Sequence, residues 1–348
     1  MTFLIIVIII IIVIAVSRSN NGNSQPIIQN YDTYQNDSLD VHFDNGNHYI
    51  GTAADGYGNS NGTLYCSNGD RYDGSVKVSY NGNWVSVNIS GQGIYCFSSG
   101  DRYEGDFKDG IPHGHLKVWY SNGSKYEGGF ANGVFDGIGT LILPDGERYE
   151  GEFKNNSPNG HGVFYNLDGS RYEGEFMNGD RDGHGILFSA NGEVSYDGQW
   201  KNDHRFGNGI LYDNRGWKYS GYYQDGVFEG QMTGPKGECL EGRLNDNDRT
   251  GYVVGDLADG SHYEGNLKNG TFCEEGVMTY KDGRKYVGQW NGETDEWEGR
   301  GILYWPNGDR YEGEVSKNNL NGIGIYYRAD GRSRKCEYKD GNLVRWID

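Results

Sequence analysis

Aliphatic material is scarce in this chain. Hydrophobic side chains make up 35% of the 348 residues, and part of that share is concentrated in one run, FLIIVIIIIIVIAV at residues 3–16. The remainder is too thin for a thick, layered core. Cysteine pairs at metal or redox spacing are also missing: Cys66, Cys96, Cys239, Cys273 and Cys336 are dispersed without a CxxC. No GxGxxG or GxxxxGK[ST] opens a helix, and no ten-residue window after Arg18 places apolar residues at helical spacing. These absences exclude a phosphate loop and an α-helical domain. Positive charge is short as well. A net charge of −18 with a pI near 4.8 repels phosphate backbones, so nucleic acid is not an expected partner.

Glycine and tyrosine are abundant instead, with 58 and 28 residues. The pentapeptide YEGEF occurs at Tyr149–Phe153 and again at Tyr172–Phe176. Taking its glycine as reference, the series runs Gly51, Gly74, Gly105, Gly128, Gly151, Gly174, Gly198, Gly221, Gly242, Gly265, Gly288 and Gly313, with Cys336 in the thirteenth place; eight of the twelve intervals are 23 residues. Two residues before the reference stands a tyrosine in eleven copies, among them Tyr103, Tyr126, Tyr149, Tyr172, Tyr286 and Tyr311. Two residues after it the side chain is apolar, as in Phe107, Phe130, Phe153, Phe176 and Trp290. Tyrosine, glycine and phenylalanine therefore share one face of an extended strand. Short β-prone runs follow (TLIL at 140, VFY at 163, ILYW at 302) and close on dipeptides such as Asp145-Gly146 or Asn307-Gly308 that suit hairpin turns. Each period is strand, turn, strand, turn. One hairpin cannot bury its own aromatic face, so stability must come from stacking on the next, with the glycine giving a ring room to approach the backbone. The expected fold is all-β: an elongated single-layer antiparallel sheet of consecutive hairpins, preceded by an N-terminal hydrophobic helix.

The pattern YEGEFKNG-x-x-x-G-x-G-x-x-x-x-x-DG, clearest at 101–188 and 282–327, resembles the MORN (membrane occupation and recognition nexus) repeat and extends from Tyr49 to the end of the sequence. The resemblance implies a twisted sheet of hairpins and a role as scaffold or membrane-associated tether. Some relatives add a SET methyltransferase or a phosphatidylinositol phosphate kinase domain. No stretch of this sequence outside the repeats is long enough for either, so the expectation is a non-enzyme without cofactor or metal. The middle of the array departs from the pattern: QMTGPKGECLEGRLNDNDRTG (231–251) lacks both the tyrosine and the aromatic residue, which suggests a bend. In the last unit Arg334 replaces tyrosine and Cys336 glycine, as in a terminal cap.

Domain boundaries follow. The run is short for a span, so residues 1–17 read as a signal peptide, with Ala15 and Ser17 at the small positions before Arg18, or as an uncleaved signal anchor that borrows Met1, Thr2 and Ser17. Residues 18–45, rich in Asn and Ser, read as a flexible linker, and 46–348 as an array of about 12 units. Six NxS/T triplets, from Asn36 to Asn269, agree with a secretory route. The expected location is a single-pass membrane anchor, with secretion after cleavage as the alternative. Unknown protein partners are the expected ligands, and the membrane is met through the apolar segment. A lipid or partner contact through Arg328, Arg332, Arg334, Lys335 and Lys339 is the competing reading, and a secreted surface-binding repeat protein a third.

Other features only imitate catalytic or metal chemistry. The acid pairs Glu150/Glu152 and Glu173/Glu175 recur along the array and read as a solvated face rather than a glycosidase pair. His161 and His184 read as equivalent turn residues too far apart for one zinc ion, and His113 with His115 lacks a completing carboxylate. A bridge between Cys66 and Cys96 is one option in an oxidising compartment. Trp217, Trp297 and Trp305 are candidates for an exposed aromatic groove.

Overall fold

The chain alternates two kinds of reversal, and these fix where every strand begins. In the computed structural model, residues 38–43, 45–52, 57–80 and 85–347 are described. The apolar run 1–17, its expected helix and residues 18–37 of the expected linker lie outside them. Among the described residues there are 27 strands and no helix, so none is long and apolar enough to cross a membrane. The hairpin array starts earlier than residue 46: Ser38–His42 is already a strand, paired antiparallel with His48–Thr52.

Two compact units are present. One runs as far as Gly183 and includes Phe188–Gly192; the other comprises His184–Leu187 and the chain from Glu193 onward. Within the first, strands pair with their chain neighbours from Ser38–His42 to Arg171–Met177. Within the second, the same order holds from Val194–Lys201 to Asn342–Ile347. The degenerate stretch 231–251 keeps this pairing, with Val227–Thr233, Cys239–Asn245 and Gly251–Asp256 in register.

The hairpin of Arg148–Lys154 and Ser157–Tyr165 shows the construction. Its tight end is a two-residue turn in which Asn155 and Asn156 have φ of 50° and 69°, a type I′ geometry that matches the strand twist. Asn156 reaches back to the preceding hairpin, donating its N–H to Phe135 O (3.0 Å) and accepting from Phe135 N–H on its side-chain oxygen (2.8 Å). Between Gly151↔Gly162 and Phe153↔Pro158 the register shifts, so two residues face four. Gly160 takes φ +93° in this bulge, and the Glu152 carboxylate accepts the His161 N–H at 3.2 Å. The opposite end is a looser loop at Pro144–Gly146, closed by Leu143 N–H to Glu147 O (2.8 Å). The hairpin before Gly105 is longer, with strands of 10 and 12 residues against 7 and 9 in the next.

The core is one row of rings on one row of glycines. Gly151 lies opposite Gly139 on one side and Gly162 on the other. Tyr149 lies across Gly151 and Gly162, so close that a Cβ on Gly162 would come 2.3 Å from the phenol oxygen. The ring therefore belongs to the same hairpin as the glycines, two residues before the reference. Its hydroxyl donates to Glu152 O at 3.0 Å, and the same i to i+3 bond recurs at Tyr72, Tyr126, Tyr172, Tyr196, Tyr263, Tyr286 and Tyr311. Burial thus removes a phenol from water without orphaning its polar end. Phenylalanines then link the units: Tyr149 meets Phe153 and Phe176 edge-to-face, both with centroids 5.0 Å apart. Each such contact adds about 1 kcal/mol beyond area burial.

Substituting Gly162→Ala should therefore cost about 3 kcal/mol in urea unfolding. Gly137→Ala, at φ +98° with nothing near its Cβ, should cost about 1 kcal/mol; equal losses would mean that the ring on the glycine pair is not the controlling contact. The tyrosines also predict an alkaline limit. Burial pushes Tyr49 and Tyr311 up to about 12 and Tyr72, Tyr149, Tyr196, Tyr263 and Tyr286 higher still. A raised folded-state pKa stabilises fully below the free phenol value near 10 and is lost as pH climbs through the folded value. Circular dichroism should show the sheet weakening above pH about 10 and unfolding around 12, together with tyrosinate absorbance. Ionisation of these rings near 10 in an intact sheet would contradict this.

A candidate binding cavity in the degenerate repeats

Where the repeat loses its rings, the second unit has a cavity. In CLEGRL (239–244) the tyrosine position is Leu240 and the aromatic position Leu244, and the residue facing Gly242 is Val253 rather than glycine. The missing rings leave a space of about 520 Å³ walled by Trp217, Tyr219, Met232, Leu240, Leu244, Leu257, Leu267 and Phe272. Tyr219 is not seated on its glycines: Phe228 lies against Gly221 and Gly230 instead.

Polar groups enter at the rim, organised by Asp213. That carboxylate is 2% exposed and accepts the backbone N–H groups of Arg215 and Trp217, both at 2.9 Å, and Arg215 Nε at 3.2 Å. The Arg249 guanidinium lies 5.0 Å from the Tyr219 ring centre and 4.0 Å from Asp213, while its buried Nε has no hydrogen-bond partner. Arg249 itself sits at φ +54°. Across the cavity, burial raises the pKa of Asp295, opposed by the Phe272 N–H (2.5 Å) and by Arg215. An apolar space with one unsatisfied cationic donor suits a bulky apolar side chain next to a carbonyl or carboxylate oxygen.

A second feature of this unit is an open trough of about 490 Å³ on the face opposite the tyrosines. Its floor is the backbone of Gly265, Gly276, Gly288, Gly301 and Gly313; Val277, Val287 and Ile302 flank it, with Glu264, Glu275, Glu312 and Arg300 among its polar groups.

The signature residues named from the sequence are structural. Tyr103, Tyr126, Tyr149, Tyr172, Tyr286, Tyr311, Phe107, Phe130, Phe153, Phe176 and Trp290 are buried. Of the basic residues named from the sequence, Arg328, Arg332 and Arg334 line a hollow of about 290 Å³ with Tyr326 and Trp346, and Lys335 and Lys339 are not part of that lining. Part of the local charge is answered by carboxylates. Arg332 holds Asp330 through Nε at 2.8 Å and draws that carboxyl down to about 2, and Arg345 pairs with Glu337 at 2.7 Å.

Three sequence expectations change, and the solvated reading of Glu150 and Glu152 is kept with a task for each. Trp297 is buried at 4% exposure, stacked on Tyr286, so it belongs to the core and not to an exposed groove; Trp217 and Trp305 are half-buried. His161 and His184 lie within strands, because the Gly-His-Gly segment is a bulge rather than a turn. Glu150 pairs with Arg148 at 3.2 Å while Glu152 closes the bulge, so the acid pair is divided between two tasks. All five cysteines are free thiols, and no bridge joins Cys66 to Cys96.

The comparisons with known proteins point to these repeats. A family model of the MORN repeat matches nine segments, 80–102, 103–125, 126–148, 149–171, 172–194, 196–218, 263–283, 286–310 and 311–331. Together these cover more than half of the chain and leave 219–262, which contributes most of the cavity's apolar wall, unmatched. No curated protein matches. Among solved structures, the TCP domain of SAS-4 (dCPAP) of Drosophila melanogaster, in complex with a proline-rich motif of Ana2 (dSTIL), is similar at 16% identity over 51% of this chain and 84% of that one; its TM-score of 0.22 is too low to carry an argument.

Restoring the ring with Leu244→Phe should fill the cavity and raise stability by about 1 kcal/mol in urea unfolding. A loss of 2 kcal/mol or so would mean that the site is already packed and no true cavity exists.

Proposed function

Because the chain belongs to the MORN repeat family, we propose that it is a non-enzymatic scaffold, directed to a membrane by residues 1–17, that holds protein partners on its degenerate repeats. The observation that carries this reading is the apolar cavity with the unpartnered Arg249 Nε. A buried donor without a partner costs about 1–3 kcal/mol, and a ligand that supplies the acceptor recovers that amount on binding. A partner loop or tail with a bulky apolar residue meets both demands, since such a residue buries well and its own carbonyl faces the guanidinium. The aromatic row supports the reading by being fully occupied with holding units together, which leaves recognition to the place where that row is broken. A lipid-binding role for the C-terminal arginines is the weaker reading, because Arg332 and Arg345 already face carboxylates.

Two measurements test this. Proximity labelling in intact cells should give a set of neighbours for the full chain that is lost with both Leu244→Phe and Arg249→Met; an unchanged set in both variants opposes cavity recognition. Deleting residues 1–17 should move the protein from the membrane pellet to the supernatant while its thermal unfolding is preserved. Continued pelleting at moderate salt would favour membrane contact by the repeats themselves.

A further inference from the structure

We propose that the first hairpin holds a divalent transition-metal ion through Asp40, His42 and His48. The strand Ser38–His42 places Asp40 and His42 two residues apart, on one face, and the register puts His48 directly across from His42. His48 Nε2 lies 2.6 Å and His42 Nε2 3.8 Å from the same Asp40 carboxylate oxygen, and the three candidate ligand atoms all fall within 4.8 Å of one another. Ligands about 2.0–2.2 Å from a tetrahedral zinc ion stand roughly 3.4 Å apart. The candidate atoms are within reach of one ion, and binding it requires the parallel His42 and His48 rings to turn out of their stack and the exposed Asp40 side chain to swing aside, so that each donor points at it. Two imidazoles and a carboxylate form a donor set suited to zinc and its first-row neighbours, with at least one position left for water.

The His42 and His48 rings stack at 3.9 Å and 9°. Tyr65, opposite His48 in the next strand, stacks on its ring at 5.9 Å. Elsewhere in the first unit, the residue before the reference tyrosine is a permanent cation: Arg71, Arg102, Lys125, Arg148 or Arg171. Within that unit residue 48 alone is an imidazole, a metal ligand in its neutral form; in the second unit His262 takes the same place before Tyr263. Among the described residues, Ser38–His42 pairs with one neighbour only. An ion bridging His48 with Asp40 and His42 would clamp this edge strand to the array.

The test is calorimetric titration of ZnCl2 into the full chain, purified in mild detergent, stripped with EDTA and kept reduced, together with Co2+ absorption. One equivalent should bind. Affinity should fall at least about tenfold in His42→Ala and in Asp40→Asn, and remain in His262→Ala, whose imidazole pairs with Asp256 alone at 2.7 Å. Unchanged metal-free melting of the variants separates lost ligands from lost folding. Bound Co2+ should give ligand-field bands without thiolate charge transfer. No saturable binding, undiminished binding in both variants, or a thiolate band would overturn the proposal and leave a His48–Asp40 hydrogen bond beside a stacked His42.

Discussion

A tyrosine ring seated on a pair of glycines, with its hydroxyl tied to the backbone of its own strand, is the contact on which the array depends. It solves two problems at once. The ring needs a flat apolar floor, which only residues without Cβ provide, and its phenol needs an acceptor, which the carbonyl three residues later supplies. Substitutions within the sequence bear this out. Where Leu116 faces Gly105 in place of a glycine, Tyr103 turns its hydroxyl to Tyr120 at 3.5 Å instead of the backbone. Where Val253 faces Gly242, the tyrosine is Leu240. Where Cys336 occupies the glycine position, fully buried, the tyrosine is Arg334. In these three units ring and floor change together, whereas at Gly221 and Gly230 the floor is kept and Phe228 takes the place of Tyr219.

Once the rings are fixed, the opposite face is free to vary, and the charge collects there. Arginines before the tyrosines lie over aromatic residues of the adjacent strand, as Arg148 over Tyr165 at 4.3 Å and Arg310 over Tyr327 at 3.9 Å. These cation–π contacts, with neighbouring carboxylates such as Glu150 and Glu104, explain how a chain of −18 charge keeps its basic residues engaged. In the degenerate repeats the loss of a ring from the row opens a gap between hairpins, walled by Trp217, Leu240, Leu244 and Phe272.

Much of the fold was legible because the period is both long and strict. Tyrosine and phenylalanine flanking a glycine at alternate positions left no choice of face, and Asp-Gly dipeptides marked the looser loops. The bulge was not legible from alternation, since a period-two pattern cannot show where two residues face four. The spacing Asn-Gly-His-Gly at 159–162 carried the signal: its first glycine needs positive φ, and an acid after the reference glycine closes it. Ser38–His42 went unread as a strand because SLDVH is too short and too polar beside the Asn-rich stretch before it. The cavity was visible only as lost residues at 240 and 244, which a bend would explain equally well until the strands are seen to stay paired.

The long hairpin before Gly105 has a consequence for how such chains can change over time. Its two strands gain three residues each beyond their counterparts in the next hairpin, yet Gly74 still faces Gly93 and Gly93 still faces Gly105. The added strand length lies beyond the Gly74–Gly93 pair, three residues on each side, and leaves the seating of the rings untouched. Lineages can therefore extend fingers from one margin of the array without renegotiating its spine, whereas an odd insertion nearer the glycines would turn every later side chain to the wrong face.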